Sequence, residues 1–174
     1  KYYRFSEGSV AGAPAVISGT GYTGEDGFEL YVDANDAPRV WDALLDEGSG
    51  AGLIPVGLGA RDSLRLEMGY ALYGSDLDEQ HTTLEAGLGW VTKLDKGDFV
   101  GRDALLAQKE AGVVRRLVAM SLQTRGFPRP GYDVTHGGEV IGKVTSGTVS
   151  PSLGIGVAMG YVPTELSKLG TMLQ

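Results

Sequence analysis

The spacing of apolar residues changes near Gly112, and this change constrains the fold more than any other feature of the sequence. Before this point, apolar side chains recur at helical spacing, as they do at Val40, Trp41, Leu44 and Leu45. After it, apolar and polar residues alternate in short runs, which is typical of half-buried strands. The sequence therefore predicts an α+β first segment, an all-β final segment and a boundary near residue 112.

The final segment contains several candidate strands joined by short turns. The pair Gly137-Gly138 is of the kind that closes two-residue antiparallel hairpins. Short strands connected in this way are typical of a small antiparallel barrel or sandwich. The candidate strands are 117–122, 132–135, 139–144 and 157–162.

The first segment mixes strands with helices around a glycine-rich turn at 20–27. Alternation over 28–33 predicts a strand with Phe28, Leu30 and Val32 on its apolar side and Glu29 on the other. We expect further strands at 13–18 and 90–94, and helices from Asn35 or Asp36 to Gly48, over 59–67 and around 104–106.

Composition excludes several classes of function. The 174 residues contain no Cys and two isolated histidines, so neither a disulfide framework nor a metal site with the usual ligand spacing is expected. A net charge of -7 argues against a nucleic-acid partner. No apolar run approaches the roughly 18 residues of a membrane span. An intracellular, cytoplasmic location is expected, and the start at Lys1, with neither Met nor a signal-peptide pattern, predicts a cut within a longer parent protein.

Glu29 is a candidate ligand-binding residue because it follows the glycine-rich turn and lies on the polar side of its strand. Its carboxylate suits a heterocycle that presents adjacent N–H donors, such as a pterin or a guanine edge. The spacing alone also fits an ordinary hairpin with a solvated Glu, and both interpretations stay open at this point.

Arg61 is a candidate anion-binding residue near the start of a predicted helix. Arg61 and Arg65 are four residues apart and therefore share a helix face. An arginine there can hold a ligand carboxylate through paired N–H donors. The alternative is an ion-paired helix, because Asp62 and Glu67 are close in sequence.

Eight short motifs occur in the order found in the aminomethyltransferase family, the T-proteins of the glycine cleavage system, and the chain resembles this family over nearly its whole length. The motifs are GYTGEDGFE at 21–29, GLGARDSLRLE at 57–67, LYGSDLD at 72–78, LEAGLGW at 84–90, FVGRDAL at 99–105, TSG at 145–147, SPSL at 150–153 and AMGYV at 158–162.

The resemblance implies a specific organisation and a specific site. Residues 1–111 correspond to the later part of a mixed α/β folate-binding core, and residues 112–174 to a C-terminal β-barrel domain. The family's pterin-binding glutamate falls on Glu29, and its folate-contacting arginine on Arg61. Tyr22 and Tyr70 match aromatic positions that line the folate site. The family's catalytic aspartate lies upstream of this chain, which thus contributes no catalytic residue and no metal ligand.

The resemblance also implies an activity for the parent. It would take the aminomethyl group carried on the lipoyl arm of H-protein, release ammonia and transfer methylene to its co-substrate tetrahydrofolate. The alternatives are the folate-binding domain of a related dehydrogenase or demethylase, or a folate-binding protein of iron–sulfur cluster maintenance without transferase activity. The last group carries a motif with Cys where this chain has KGDFVGRD at 96–103.

Overall fold

A computed structural model describes residues 2–174 and divides the chain into two compact units at Met68/Gly69. In chain order, the strands and helices of the first unit are β1 (Phe5–Val10), β2 (Ala13–Ser18), β3 (Glu29–Val32), α1 (Ala37–Gly48) and α2 (Leu58–Glu67). Those of the second unit are α3 (Arg102–Ala111), β4 (Arg115–Ser121), β5 (Asp133–His136), β6 (Glu139–Val149) and β7 (Gly156–Pro163). Three α-helices and two antiparallel sheets confirm the predicted α+β class.

The first unit is built on the antiparallel sheet β1-β2-β3. The β1–β2 turn places Ala11 and Gly12 at positive φ, the conformation that two-residue hairpins require. Arg39 on α1 donates a hydrogen bond to the carbonyl of Ala11, so the helix fixes this turn. Helix α1 begins after Asp36 and ends at Gly48, as the sequence predicted, and it buries Val40.

The second unit is built on the antiparallel sheet β4-β7-β6-β5. Strand β7 is buried along Gly156–Val162 because it lies inside the sheet. The core of the sheet is formed by Val134, Val144, Ala158 and Val162. Gly137 and Gly138 both adopt positive φ and close the β5–β6 hairpin. Beyond Gly112 the described residues contain strands and one short 3-10 turn but no α-helix, which confirms the all-β prediction.

Two parts of the chain differ from the predicted elements. Residues 90–94 form turns rather than a strand, with hydrogen bonds from the N–H of Val91 to the carbonyl of Leu88 and from the N–H of Thr92 to that of Gly89. These turn hydrogen bonds use backbone N–H groups that a strand would need for pairing with its neighbour in a sheet. Strand β1 was not predicted, because its sequence FSEGSV lacks apolar alternation.

The compact division falls earlier than the predicted domain boundary near residue 112. The segment 69–111 belongs to the same unit as the C-terminal sheet. The boundary near residue 112 was predicted for the domains of the parent protein, and it stays a prediction. Within the described residues, no helix is long and apolar enough to cross a membrane.

The carboxylate of Asp76 joins the turn at 72–77 to the C-terminal sheet. It is fully buried and accepts hydrogen bonds from the Leu72 N–H at 2.9 Å, the Ser146 hydroxyl at 2.9 Å and the Thr145 hydroxyl. The Tyr161 hydroxyl donates to the Asp76 carbonyl at 2.9 Å. Buried carboxylates are stable in proteins only when their oxygens are satisfied in this way.

A register shift in β6 makes this arrangement possible. The pairing with β7 skips from Val144 to Ser146, which leaves Thr145 as the extra residue of a bulge. In a regular strand, consecutive side chains point to opposite faces. The bulge instead lets Thr145 and Ser146, which are adjacent in sequence, reach the same carboxylate.

We predict that Asp76→Ala destabilises the chain by about 3–5 kcal/mol, because it leaves several buried donors without an acceptor. Urea unfolding measures the effect. Asp98→Ala is the matched control, since Asp98 is an exposed aspartate of the same unit, and it should change stability by less than about 0.5 kcal/mol. A loss for Asp76→Ala as small as that of the control would contradict the proposed role of the carboxylate.

Candidate functional site

Glu29 opens strand β3 at the end of the glycine-rich loop. Its cross-strand partner is Ser18, the last residue of β2. The Glu29 side chain is exposed, and Leu30 and Val32 are half-buried, as the alternation predicted. Phe28, which was predicted on the same apolar side, precedes the strand and is 74% exposed. Oε2 of Glu29 accepts a hydrogen bond from the Thr20 hydroxyl, its one hydrogen-bond partner among the described residues. The carboxylate therefore keeps accessible lone pairs for a ligand with N–H donors.

Arg61 lies in the first turn of α2, and its guanidinium is 4.7 Å from the centre of the Tyr22 ring. This distance is within the range of a cation–π contact. Such a contact uses the face of the guanidinium and leaves its N–H edges available for a carboxylate. Arg61 is exposed to solvent, which is compatible with that use.

Arg65, the second arginine of α2, has a structural role. It is 2% exposed, and its Nε donates to Oδ1 of Asp62 at 2.8 Å. Nη2 of Arg65 lies 2.7 Å from the same oxygen. The ion-pair alternative thus applies to Arg65, and the helix presents its two arginines in different environments.

The glycine-rich loop is also in close contact with the end of α2. At Gly24, φ is +81°, and a Cβ there would lie 2.4 Å from Cγ of Met68. Only glycine allows this approach without a shift of the methionine. Tyr22 and Gly24 therefore attach the loop to two points of α2, near its start and just after its end.

The four predicted site residues belong to different units. Tyr22, Glu29 and Arg61 lie in the first unit, whereas Tyr70 lies half-buried in the second. The resemblance assigns both Glu29 and Arg61 to folate binding, and this assignment stays a prediction. Two cavities in the second unit, one of them beside the loop 123–127, are lined by none of these four residues.

The second unit contains a titratable cluster that sequence analysis did not identify. Nε of Arg115 on β4 donates to Oε1 of Glu85 at 2.8 Å, and Glu85 is 5% exposed. The ring of His81 stacks on that of Tyr161 from β7, with centroids 3.9 Å apart. Oδ1 of Asp78 lies 2.7 Å from Nδ1 of His81. Glu85 and Arg115 are 30 residues apart in sequence, and His81 and Tyr161 are farther apart still, so no short-range pattern indicated these two contacts.

The hydrogen bonds and charges of this cluster determine the protonation states of Glu85 and Tyr161. Burial raises the pKa of Glu85, but hydrogen bonds from the Thr82 N–H and from Arg115 outweigh it and hold that pKa below its ordinary value. Burial, and then the carboxylates of Glu85 and Asp78, raise the pKa of Tyr161 to about 12. At neutral pH, Glu85 is therefore an anion paired with Arg115, and Tyr161 is a neutral hydroxyl. The cluster joins residues 78–85 to the sheet.

No group of three or more His, Cys, Asp or Glu side chains within residues 2–174 has the geometry of a metal site. Around Glu29 and Arg61, the structure offers carboxylate, guanidinium and aromatic side chains for binding. These groups suit an organic ligand with N–H donors and a negative charge.

Models of one class of protein, the T-proteins of glycine cleavage, match both parts of the chain. The GCVT N-terminal domain matches residues 1–96, and the glycine cleavage T-protein C-terminal barrel domain matches residues 115–174. The aminomethyltransferase of Halothermothrix orenii is 56% identical over 93% of the chain and 45% of its own length. That of Porphyromonas gingivalis is 52% identical over 99% of the chain and 49% of its own length.

The structure agrees with these sequence matches. The crystal structure of glycine cleavage system aminomethyltransferase T from Bartonella henselae superposes with a TM-score of 0.86 at 39% identity. The superposed region covers 91% of this chain and 44% of the Bartonella protein. The chain belongs to the aminomethyltransferase family, which confirms the resemblance, and it spans about half the length of the relatives that it matches.

We predict that Gly24→Ala weakens the fold of the first unit, because the loop must move away from Met68. The left-handed conformation alone costs an alanine about 1–2 kcal/mol. Gly27→Ala is the matched control, since a Cβ at Gly27 meets nothing within 4 Å and its φ is not positive. Thermal unfolding of the two variants checks the prediction, and equal melting temperatures would contradict it.

Proposed function

We propose that this chain supplies the pterin-binding part of a tetrahydrofolate-dependent aminomethyltransferase of the glycine cleavage system. The observation that carries the proposal is the exposed Glu29 carboxylate, which has one hydrogen-bond partner among residues 2–174 and follows a loop fixed to α2. Membership of the aminomethyltransferase family supports the assignment. The activity belongs to the parent protein, because this chain spans about half of its relatives.

Each proposed contact matches a chemical feature of tetrahydrofolate. The Glu29 carboxylate has lone pairs that accept hydrogen bonds from the adjacent N–H groups of the pterin. The guanidinium edges of Arg61 suit a carboxylate of the ligand. Tyr22, which contacts Arg61, provides aromatic surface for the flat rings. The protein's task is to hold the folate nitrogens in reach of the reacting carbon.

The parent's reaction needs no oxidant or reductant. One carbon arrives as an aminomethyl group bound to sulfur on the lipoyl arm of H-protein. Its bonds to sulfur and to the amine nitrogen break, and two bonds form to N5 and N10 of tetrahydrofolate. The protons that N5 and N10 lose go to the sulfur and to the amine nitrogen. Ammonia and the free thiol leave. Because H-protein carries the aminomethyl group in this reaction, we propose it as the partner. We also propose a cytoplasmic location, which suits a chain without Cys.

The alternative functions are not favoured. The two relatives cited above are named aminomethyltransferase and match almost the whole chain. The stretch 96–103 contains no Cys, unlike the motif of the iron–sulfur maintenance branch. The sequence that precedes this chain in the parent distinguishes the dehydrogenases, which carry a long flavin-binding region there.

We predict that Glu29→Ala in the parent weakens tetrahydrofolate binding by about 1.5–3 kcal/mol, the range for hydrogen bonds to a charged group. This loss corresponds to an increase in Kd of roughly 10- to 150-fold. Isothermal titration calorimetry measures it. Glu7→Ala is the matched control, since Glu7 is an exposed glutamate on β1 of the same sheet, and it should leave Kd unchanged. An unchanged Kd for Glu29→Ala would refute the assignment.

We predict that the 174-residue chain alone does not catalyse aminomethyl transfer above background. The family's catalytic aspartate has no counterpart in the chain, and binding part of a substrate without stabilising the transition state gives little rate. The measurement supplies purified chain with tetrahydrofolate and aminomethyl-loaded H-protein, then quantifies ammonia and methylene-tetrahydrofolate. The parent protein is the positive control. Turnover by the chain close to that of the parent would show that the catalytic group lies within these residues.

A further inference from the structure

Three polar side chains meet at the end of the first sheet. Ser18 and Glu29 are directly opposite each other in the β2–β3 register. Thr20 lies two residues beyond Ser18, just after a bend at Gly19. The Thr20 Oγ is 2.9 Å from the Ser18 Oγ, and it also hydrogen-bonds Oε2 of Glu29.

The chemistry of the hydroxyl group fixes the direction of these bonds. A threonine hydroxyl has one proton, and an ionised carboxylate can only accept. Thr20 therefore donates its proton to Glu29, and the Ser18 hydroxyl donates to the oxygen of Thr20. The result is a short relay of hydrogen bonds that runs from Ser18 through Thr20 to Glu29.

We propose that Thr20 is a positioning residue that holds the Glu29 carboxylate in one rotamer for the pterin. This inference rests on the proposed function of Glu29. Oε2 is held by the Thr20 hydroxyl, and Oε1 has no hydrogen-bond partner among the described residues. Two adjacent N–H donors of one ligand need both oxygens in a fixed orientation, and the relay provides it before the ligand arrives.

The relay acts through preorganisation. Without the Thr20 hydroxyl, an exposed Glu29 on a short strand samples several rotamers. Ligand binding must then immobilise a long side chain, which lowers affinity about three- to tenfold. Thr20 itself contacts the carboxylate rather than the ligand in this account, so its effect requires the charge of Glu29.

The test is a double-mutant cycle in the parent protein, with Kd for tetrahydrofolate as the readout. Thr20→Val removes the hydroxyl and keeps the shape, and we expect a three- to tenfold increase in Kd. Thr20→Ser keeps the hydroxyl and should restore affinity to within about twofold. Ser18→Ala leaves the Thr20–Glu29 bond in place and should raise Kd less than Thr20→Val. In a Glu29→Gln background, Thr20→Val should cause little further loss, because the charged acceptor is already absent.

A second ligand separates positioning from a general structural role. p-Aminobenzoyl-glutamate lacks the pterin, so Thr20→Val should leave its Kd unchanged. A general weakening of the loop would instead raise both Kd values and would contradict the proposal, as would an equal loss in the Glu29→Gln background. If Glu29→Gln itself leaves the tetrahydrofolate Kd unchanged, the proposed function fails. If Glu29→Gln weakens binding and Thr20→Val does not, the positioning role alone is wrong.

Discussion

The buried carboxylate of Asp76 is the interaction on which the second unit depends most. Residues 69–101 contain turns and hardly any regular structure, so they cannot satisfy their backbone groups with a helix or sheet of their own. Asp76 accepts hydrogen bonds from its own turn and from the bulge of β6, and its carbonyl accepts one from Tyr161 on β7. The ion pair of Glu85 with Arg115 adds a second tie between the turns and the sheet. These polar contacts explain why 69–111 joins the C-terminal strands in one compact unit.

In the first unit, side-chain contacts also hold a segment without regular structure, here next to an exposed site. Its glycine-rich loop has no regular structure, and contacts to α2 hold it through Tyr22 and Gly24. The loop in turn delivers Thr20 to the carboxylate of Glu29. Binding residues on loops are effective when a rigid scaffold fixes them. The proposed pterin site therefore depends on a helix that itself need not touch the pterin.

Local patterns were sufficient to predict most of the regular structure. The alternation over 29–32, the glycine pair at 137–138 and the helix from Asp36 to Gly48 all reflect short-range rules, and the structure follows them. Phe28 is the exception, because it lies before β3 and is exposed. The predicted strand at 90–94 was wrong because turn hydrogen bonds compete there, and β1 was missed because FSEGSV has little apolar alternation. The roles of Asp76 and Thr20 were also missed, because they arise from strand register and a bulge, which a single sequence does not display.

In the proposed function, Glu29 binds the pterin of tetrahydrofolate. A crystal structure of the parent protein with tetrahydrofolate bound shows whether it does. We expect pterin nitrogens at about 2.7–3.2 Å from the Glu29 carboxylate oxygens, the range of an N–H to oxygen hydrogen bond, with Thr20 still bonded to Oε2. A pterin bound elsewhere, with the Glu29 side chain left in solvent, would contradict it.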